Sequence, residues 1–185
     1  DHWERGSADL DVTTGWLGRH LAGGTDTGIP AVGWGPRLQA SLRPDPEAIS
    51  MSSIDTFGVQ GFRSNSRAQS VLGLLHPDGT DDAVRRSAAS TLAAVAAVQA
   101  ADPEQHAPSP DPYPASGFGY LLGQGLREIA MLLRSGLGIR AACIDVGPWD
   151  LHDAMGTPST GDMRTAVSGL SDALASFHAD LGPLM

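Results

Sequence analysis

Residues 118–153 constrain the fold of this chain more than any other stretch. They read GFGYLLGQGLREIAMLLRSGLGIRAACIDVGPWDLHD once Gly117 is included. Phe118, Leu122, Leu126, Ile129 and Leu133 recur at intervals of four, four, three and four. That period predicts an amphipathic helix, and Gly136 and Gly138 predict its end. IRAACIDV follows at 139–146. It is a short apolar run bounded by glycine on both sides, which predicts a buried strand. A helix, a tight turn and a buried strand form the return half of a parallel crossover, so the fold class is α/β. Asp145 alternates with Ile144 and Val146, which places it on the opposite face of the sheet.

The remaining segments fit that class. A short helix is expected around Trp16, Leu17, His20 and Leu21, stopped by Gly23 and Gly24. Residues 29–32 predict a strand ending in a Gly-Trp-Gly-Pro turn, and residues 48–51 a second extended piece. A helix is expected over 66–75. Another is expected over 81–101, capped by Thr80 and opened by two aspartates that suit the helix dipole. Five prolines between Asp102 and Ser116 predict an extended loop. The last helix is expected from about Thr160, capped by Ser159 or Thr160. Its apolar stripe is Met163, Val167, Leu170, Leu174, Phe177 and Leu181. Gly119, Gly123 and Gly125 lower helix propensity and predict a close neighbour. The organisation is one partial domain over 1–185: loop-rich 1–62, helical 63–101, a Pro-rich loop 102–116 and a helix–strand–helix unit 117–185.

Composition excludes several functions. The formal net charge is −9, and all 12 basic residues are Arg. An acidic chain lacks the basic field that nucleic-acid binding requires. No apolar run is long enough to span a membrane. A phosphate loop of the Walker type needs a Lys, and no Gly-x-Ser-x-Gly elbow occurs. The lone Cys143 sits mid-strand and reads as a small buried hydrophobe.

The chemistry-bearing candidates are few. Asp150 and His152 lie in GPWDLHD, just beyond the strand at 139–146, where open α/β sheets gather ligands. A carboxylate and a neutral imidazole suit a divalent cation such as zinc. A turn-capping Asp beside a solvated His is the other reading of the same spacing. Asp153 reads as solvated. His178 reads as a boundary residue on the last helix, with Asp180 off the apolar stripe. Arg63 and Arg67 in RSNSR have the chemistry to contact an anion or to solvate a helix start. His2, His20, His76 and His106 show no partner pattern.

Several stretches, in order, resemble one known family. They are ERG with GWLGRHL, AVGWGPRLQASL, AISMSSIDTF, YLLGQGLREIAMLLRSGLGIRAACIDVGPWDLHDA and ALASFHADLG. Together they look like the central part of the domain-of-unknown-function 1501 family, bacterial exported proteins related to sulfatases and alkaline phosphatases. The resemblance implies an alkaline-phosphatase-like α/β/α sandwich with a mostly parallel sheet, and export, usually behind a twin-arginine signal. It implies a metal site to which an aromatic-Asp-Thr-His loop contributes. Trp149, Asp150, Leu151 and His152 match that loop, with Leu151 where the family has Thr, which removes a hydroxyl hydrogen bond. Asp150 and His152 are therefore the expected ligands of a divalent ion, zinc or magnesium. The substrates implied are phosphate or sulfate esters, small or polymeric. The family's Arg-Ser-His-Phe, Ser-Glu-Phe-Gly-Arg and Thr-Asp-His-Gly stretches have no match here, so the chain alone is expected to be inactive. A non-catalytic envelope or surface binding protein on the same fold is the alternative.

Overall fold

The computed structural model describes residues 2–22, 28–43, 48–58, 66–67, 70–71, 74, 83–147, 149–153 and 155–182. Its elements are α1 (His2–Arg5), α2 (Trp16–Leu21), β1 (Ala31–Trp34), β2 (Ile49–Met51), α3 (Ala83–Ala101), α4 (Tyr120–Arg134), β3 (Ala141–Ile144) and α5 (Asp162–Leu181). The strands form a parallel sheet in the order β2–β1–β3. The expected α/β class thus takes the form of a three-stranded, all-parallel sheet with helices packed against it.

The central strand starts two residues later than the sequence suggests. Pro30 has no N–H to give to a ladder, and its carbonyl accepts the amides of Arg140 and Ala141 at 2.9 and 3.1 Å. Pairing then runs from Ala31 through Gly33 and Trp34, residues expected in a turn. Neighbours on both sides hold them in the strand, so tertiary pairing overrides local propensity.

Alternation along β1 divides the core. Val32 and Trp34 belong to a cluster with Met51, Ala94, Val98, Leu132 and Leu137, supplied largely by α3 and α4. Ala31 packs with Leu21 and Leu42, and with the partly buried Ala141 and Cys143. β1 and β3 therefore bury side chains in both directions, as strands of a covered parallel sheet do. Cys143 is half-buried there, with Sγ 3.7 Å from Ser41 Oγ.

Helix α4 carries its apolar positions inward, with Leu122, Leu126, Ile129 and Leu132 buried. It meets α5 at a glycine crossing. A Cβ on Gly119 would lie 2.5 Å from the Gly169 carbonyl oxygen, and one on Gly169 would lie 2.6 Å from the Gly119 nitrogen. The glycines let the two backbones touch. At Gly125 the neighbour is the Trp34 ring, 2.8 Å from where a Cβ would sit.

That close approach corrects the expected stripe on α5. The buried positions are Ala166, Ala173 and Leu181, with Leu170 and Phe177 partly buried, while Val167 and Leu174 remain 50% and 48% exposed. Small residues make the contact line and two of the larger ones turn outward. The expected cap is also displaced. Thr157 and Thr160 pair with each other in a small antiparallel bridge, and their hydroxyls lie 3.1 Å apart. The helix starts at Asp162 after Gly161, with no side-chain cap.

A buried polar clasp fastens α5 to α4. The Arg134 guanidinium pairs with the Asp180 carboxylate and also donates to the Asp180 carbonyl. Tyr113 Oη donates to Asp180 Oδ2 at 2.8 Å, and Arg134 reaches the His106 carbonyl at 3.3 Å. The Pro-rich segment is thereby tied down, and it includes a 3-10 turn at Pro103–His106 rather than being extended throughout. Of the helix expected over 66–75, residues 66, 67, 70, 71 and 74 are described and helical. Thr80, Asp81 and Asp82, expected to open α3, lie outside the described residues.

Candidate functional site

Parallel register brings the carboxyl ends of all three strands to one edge. Trp34 is paired with Met51 on one side and with Ile144 on the other. The segments leaving those residues are laced together. The Gly35 amide donates to the Met51 carbonyl at 2.7 Å, and Ser50 Oγ donates to the Gly35 carbonyl at 2.8 Å. Gln39, only 6% exposed, donates through Nε2 to the Trp34 carbonyl at 3.1 Å and to Asp145 Oδ2 at 3.4 Å. Asp145 therefore faces away from Ile144 and Val146, which pack toward α4 and α5. Gln39 Oε1 is buried without a hydrogen-bond partner among the described residues.

The loop beyond β3 is held from its own start. Trp149 Nε1 donates to the Val146 carbonyl at 2.7 Å. Its ring meets Phe118 edge-on, with centroids 5.6 Å apart and planes at 65°. This geometry is attractive between aromatic quadrupoles. Leu151 is half-buried, and its neighbours Asp150 and His152 are exposed. The chain turns at His152 and Asp153, and both polar side chains lie on the outside. They meet there: His152 Nε2 lies 2.6 Å from Asp150 Oδ1, with side chains 81% and 74% exposed. The structure brings together the two residues that the sequence singled out.

Asp150 and His152 have the donor chemistry of metal ligands. A structural zinc site takes four protein ligands and a catalytic one usually three. No group of three or more His, Cys, Asp or Glu side chains able to hold a metal occurs among the described residues. Two side chains alone do not make up such a set. After the loop, Met155, Thr157, Pro158, Met163, Arg164 and Val167 line an open recess of about 430 Å³. Set against protein-family models, curated proteins and solved structures, the chain matches none.

The other candidates are dispersed. His178 is exposed on α5, and Asp180 points away from it into the clasp. His2 Nδ1 lies 3.3 Å from the Ser7 carbonyl oxygen, and His20 is exposed at the end of α2. Asp153 and Arg67 are exposed. Arg63 and His76 lie outside the described residues. No helix among the described residues is long and apolar enough to cross a membrane.

Two groups of ionisable residues escape sequence reasoning. The first is the clasp, where burial foremost, and then the hydrogen bond to Asp180, drive the Tyr113 hydroxyl far above the ordinary tyrosine range. The second lies beyond β2. Ile54 donates its amide to Glu128 Oε2 at 2.6 Å, yet burial dominates and raises the Glu128 carboxyl above its ordinary value. Glu104 is raised as well, chiefly by its hydrogen bond and charge interaction with Asp55. Asp55 and Glu104 line a recess of about 270 Å³ together with Ile54, Phe57, Val98 and Asp102. Asp55 follows β2 as Asp150 follows β3, so a strand-end signal existed there. Glu104 and Glu128 carry no such signal, since each lies far from Asp55 along the chain.

Proposed function

We propose that this chain is part of an exported, metal-dependent hydrolase-like protein acting on phosphate or sulfate esters, on an alkaline-phosphatase-like α/β/α fold. The observation that carries the reading is the Asp150–His152 contact in the loop leaving the carboxyl end of β3. That is the edge at which open parallel sheets gather ligands. A divalent ion, zinc or magnesium, held by these residues and by ligands beyond the described ones would supply Lewis-acid chemistry. Trp149 anchors the loop through Val146 and Phe118, and Asp150 and His152 meet in solvent beside it. Arg164, in the recess lined by the segment after the loop, has the charge and fork geometry to receive an anionic ester. The test is calorimetric titration of the chain with Zn²⁺. Saturable binding that disappears in His152→Ala supports the reading. Equal heats from wild type and variant sink it.

The high exposure of both side chains favours a second reading, a non-catalytic envelope or surface binding protein on the same fold. Exposed pairs of this kind contribute little to folding and need no metal to persist. This reading expects no Zn²⁺ binding and no turnover of a phosphate or sulfate ester by the intact protein. A hydrolysis rate that is lost in His152→Ala dismisses it.

A further inference from the structure

The turn that leads into α5 and the first turns of that helix form the recess of about 430 Å³. Its wall is built before any ligand arrives. Gly156 and Gly161 both take positive φ, and a Cβ on Gly156 would lie 2.6 Å from Gly161 Cα, so the two backbones touch. Between them, Thr157 and Thr160 exchange backbone hydrogen bonds of 2.7 and 3.2 Å. The Met163 amide donates to the Met155 carbonyl at 3.3 Å. Met155 and Pro158 are thereby fixed beside Met163 and Val167 of α5. Met155 is 56% exposed and Val167 50%, so the recess keeps apolar surface in water.

The polar side of the recess is a second row on the same helix. Arg164 and Ser168 are four residues apart and share a face beside Met163 and Val167. Arg164 donates to the Pro158 carbonyl at 3.4 Å, and among the described residues no carboxylate pairs with it. The Ser168 hydroxyl has no hydrogen bond among the described residues. A guanidinium beside exposed methionine and valine suits a ligand with an apolar body and an anionic head. The surroundings favour one negative charge over two. Arg164 is the one cation among the lining residues described, Asp162 stands in the same first turn, and the formal net charge is −9. We infer that this recess binds a small amphiphilic monoanion, with its head group on Arg164 and Ser168 and its apolar body on Met155, Met163 and Val167. The acidic chain and the concave shape favour a free molecule over an anionic membrane surface. As a substrate site the recess rests on the ester reading above. As a binding site it needs no metal, so the two can fail separately.

The test records the methionine methyl signals by ¹H–¹³C correlation on the chain without added metal. The probes are a naphthalenesulfonate, which carries no ester to cleave, a naphthyl phosphate and inorganic sulfate. The sulfonate is expected to move the Met155 and Met163 signals saturably and to leave that of the buried Met51 in place. It is expected to bind more tightly than either other probe. Arg164→Gln is expected to weaken it about tenfold, the low end for loss of a charge-assisted hydrogen bond. Val167→Asp, which sets a carboxylate in the apolar row, is expected to abolish binding. Both positions are exposed, and an unchanged Met51 signal confirms that each variant is folded.

Met155 and Met163 signals unmoved by the sulfonate overturn the site. So does undiminished affinity in folded Arg164→Gln, or inorganic sulfate binding as tightly as the sulfonate. Tighter binding of the naphthyl phosphate overturns the preference for a single charge. Sedimentation with phosphatidylglycerol vesicles that depends on Arg164 overturns the choice of a free ligand. Absence of Zn²⁺ binding, by contrast, sinks the metal reading, and sulfonate binding that persists beside it upholds the site.

Discussion

Among the described residues, two aspartates stand two residues from a histidine, and they meet opposite fates. Asp150 and His152 touch each other in solvent beyond β3. Asp180 ignores His178 and is buried against Arg134 and Tyr113. Backbone geometry separates the cases. In the loop the chain turns at His152, and residues two apart come into contact. On a helix they point well away from each other, and partners come from other elements. The same spacing therefore makes a local pair in one place and a tertiary clasp in the other. The clasp contributes to stability, whereas the loop pair leaves its groups available.

The largest test of that contrast is Asp180→Ala. It leaves the Arg134 guanidinium largely buried and without its carboxylate. Breaking a buried pair on one side costs about 3–5 kcal/mol. The urea midpoint is expected to drop accordingly, with α5 the first element to lose amide protection in hydrogen exchange. A change below about 1 kcal/mol, the range of exposed pairs, would place the clasp with the loop pair and break the comparison.

The glycine crossing beside the clasp offers the next test. A methyl at Gly169 would sit 2.6 Å from the Gly119 nitrogen, a backbone atom that cannot swing aside. Gly169→Ala is expected to cost about 1–3 kcal/mol, as overpacking does. The gain in helix propensity from Gly to Ala, about 1 kcal/mol, works against that cost. A stabilised variant would show that α4 and α5 do not approach as closely as the crossing requires, and would weaken the case that the clasp is held in register.

These elements also mark what could be read from the sequence. Local signals located α2, α3, α4, α5 and the strand before the candidate loop, and singled out Asp150 and His152 in that loop, while α1 carried no signal. They are written in periodicity, in glycine stops and in two adjacent turns of chain. The sequence reading missed what depends on partners far along the chain. Trp34 joined the sheet because β2 and β3 flank it, not because of its neighbours in GWGP. Asp180 stands off the apolar stripe, and its partner Arg134, 46 residues away, leaves no local signal. The α5 stripe turned because Gly119 and Gly169 meet. Fold class was therefore legible, while the energetic roles of individual charges were not.

Glu128 lies between the two extremes, half-buried and bonded to one backbone amide. Burial, the foremost cause, raises its folded value above the ordinary 4.5. The native state therefore holds a proton that the unfolded chain releases. Stability falls as pH rises from the ordinary value through the raised one, and recovers when pH is lowered again. Glu104 is raised too and adds the same sign. Glu128→Gln, which keeps an acceptor for the Ile54 amide, is expected to flatten this part of the stability–pH curve without abolishing it. Urea midpoints across the mildly acidic range provide the check. An unchanged slope would mean that Glu128 is as well solvated as Asp150.

The smallest effect is expected where function is proposed. Asp150 and His152 are 74% and 81% exposed, so neither gives up much hydration to form their contact. The Coulomb gain is made in high dielectric and is offset by the entropy of holding two side chains together. Asp150→Ala and His152→Ala should each fall within about 0.5 kcal/mol of wild type in urea denaturation, as surface substitutions do. A contact maintained at so little gain in stability is informative when His152→Ala removes Zn²⁺ binding. Loss of several kcal/mol instead would show that the pair braces the loop, and would place it with the clasp as part of what holds the fold.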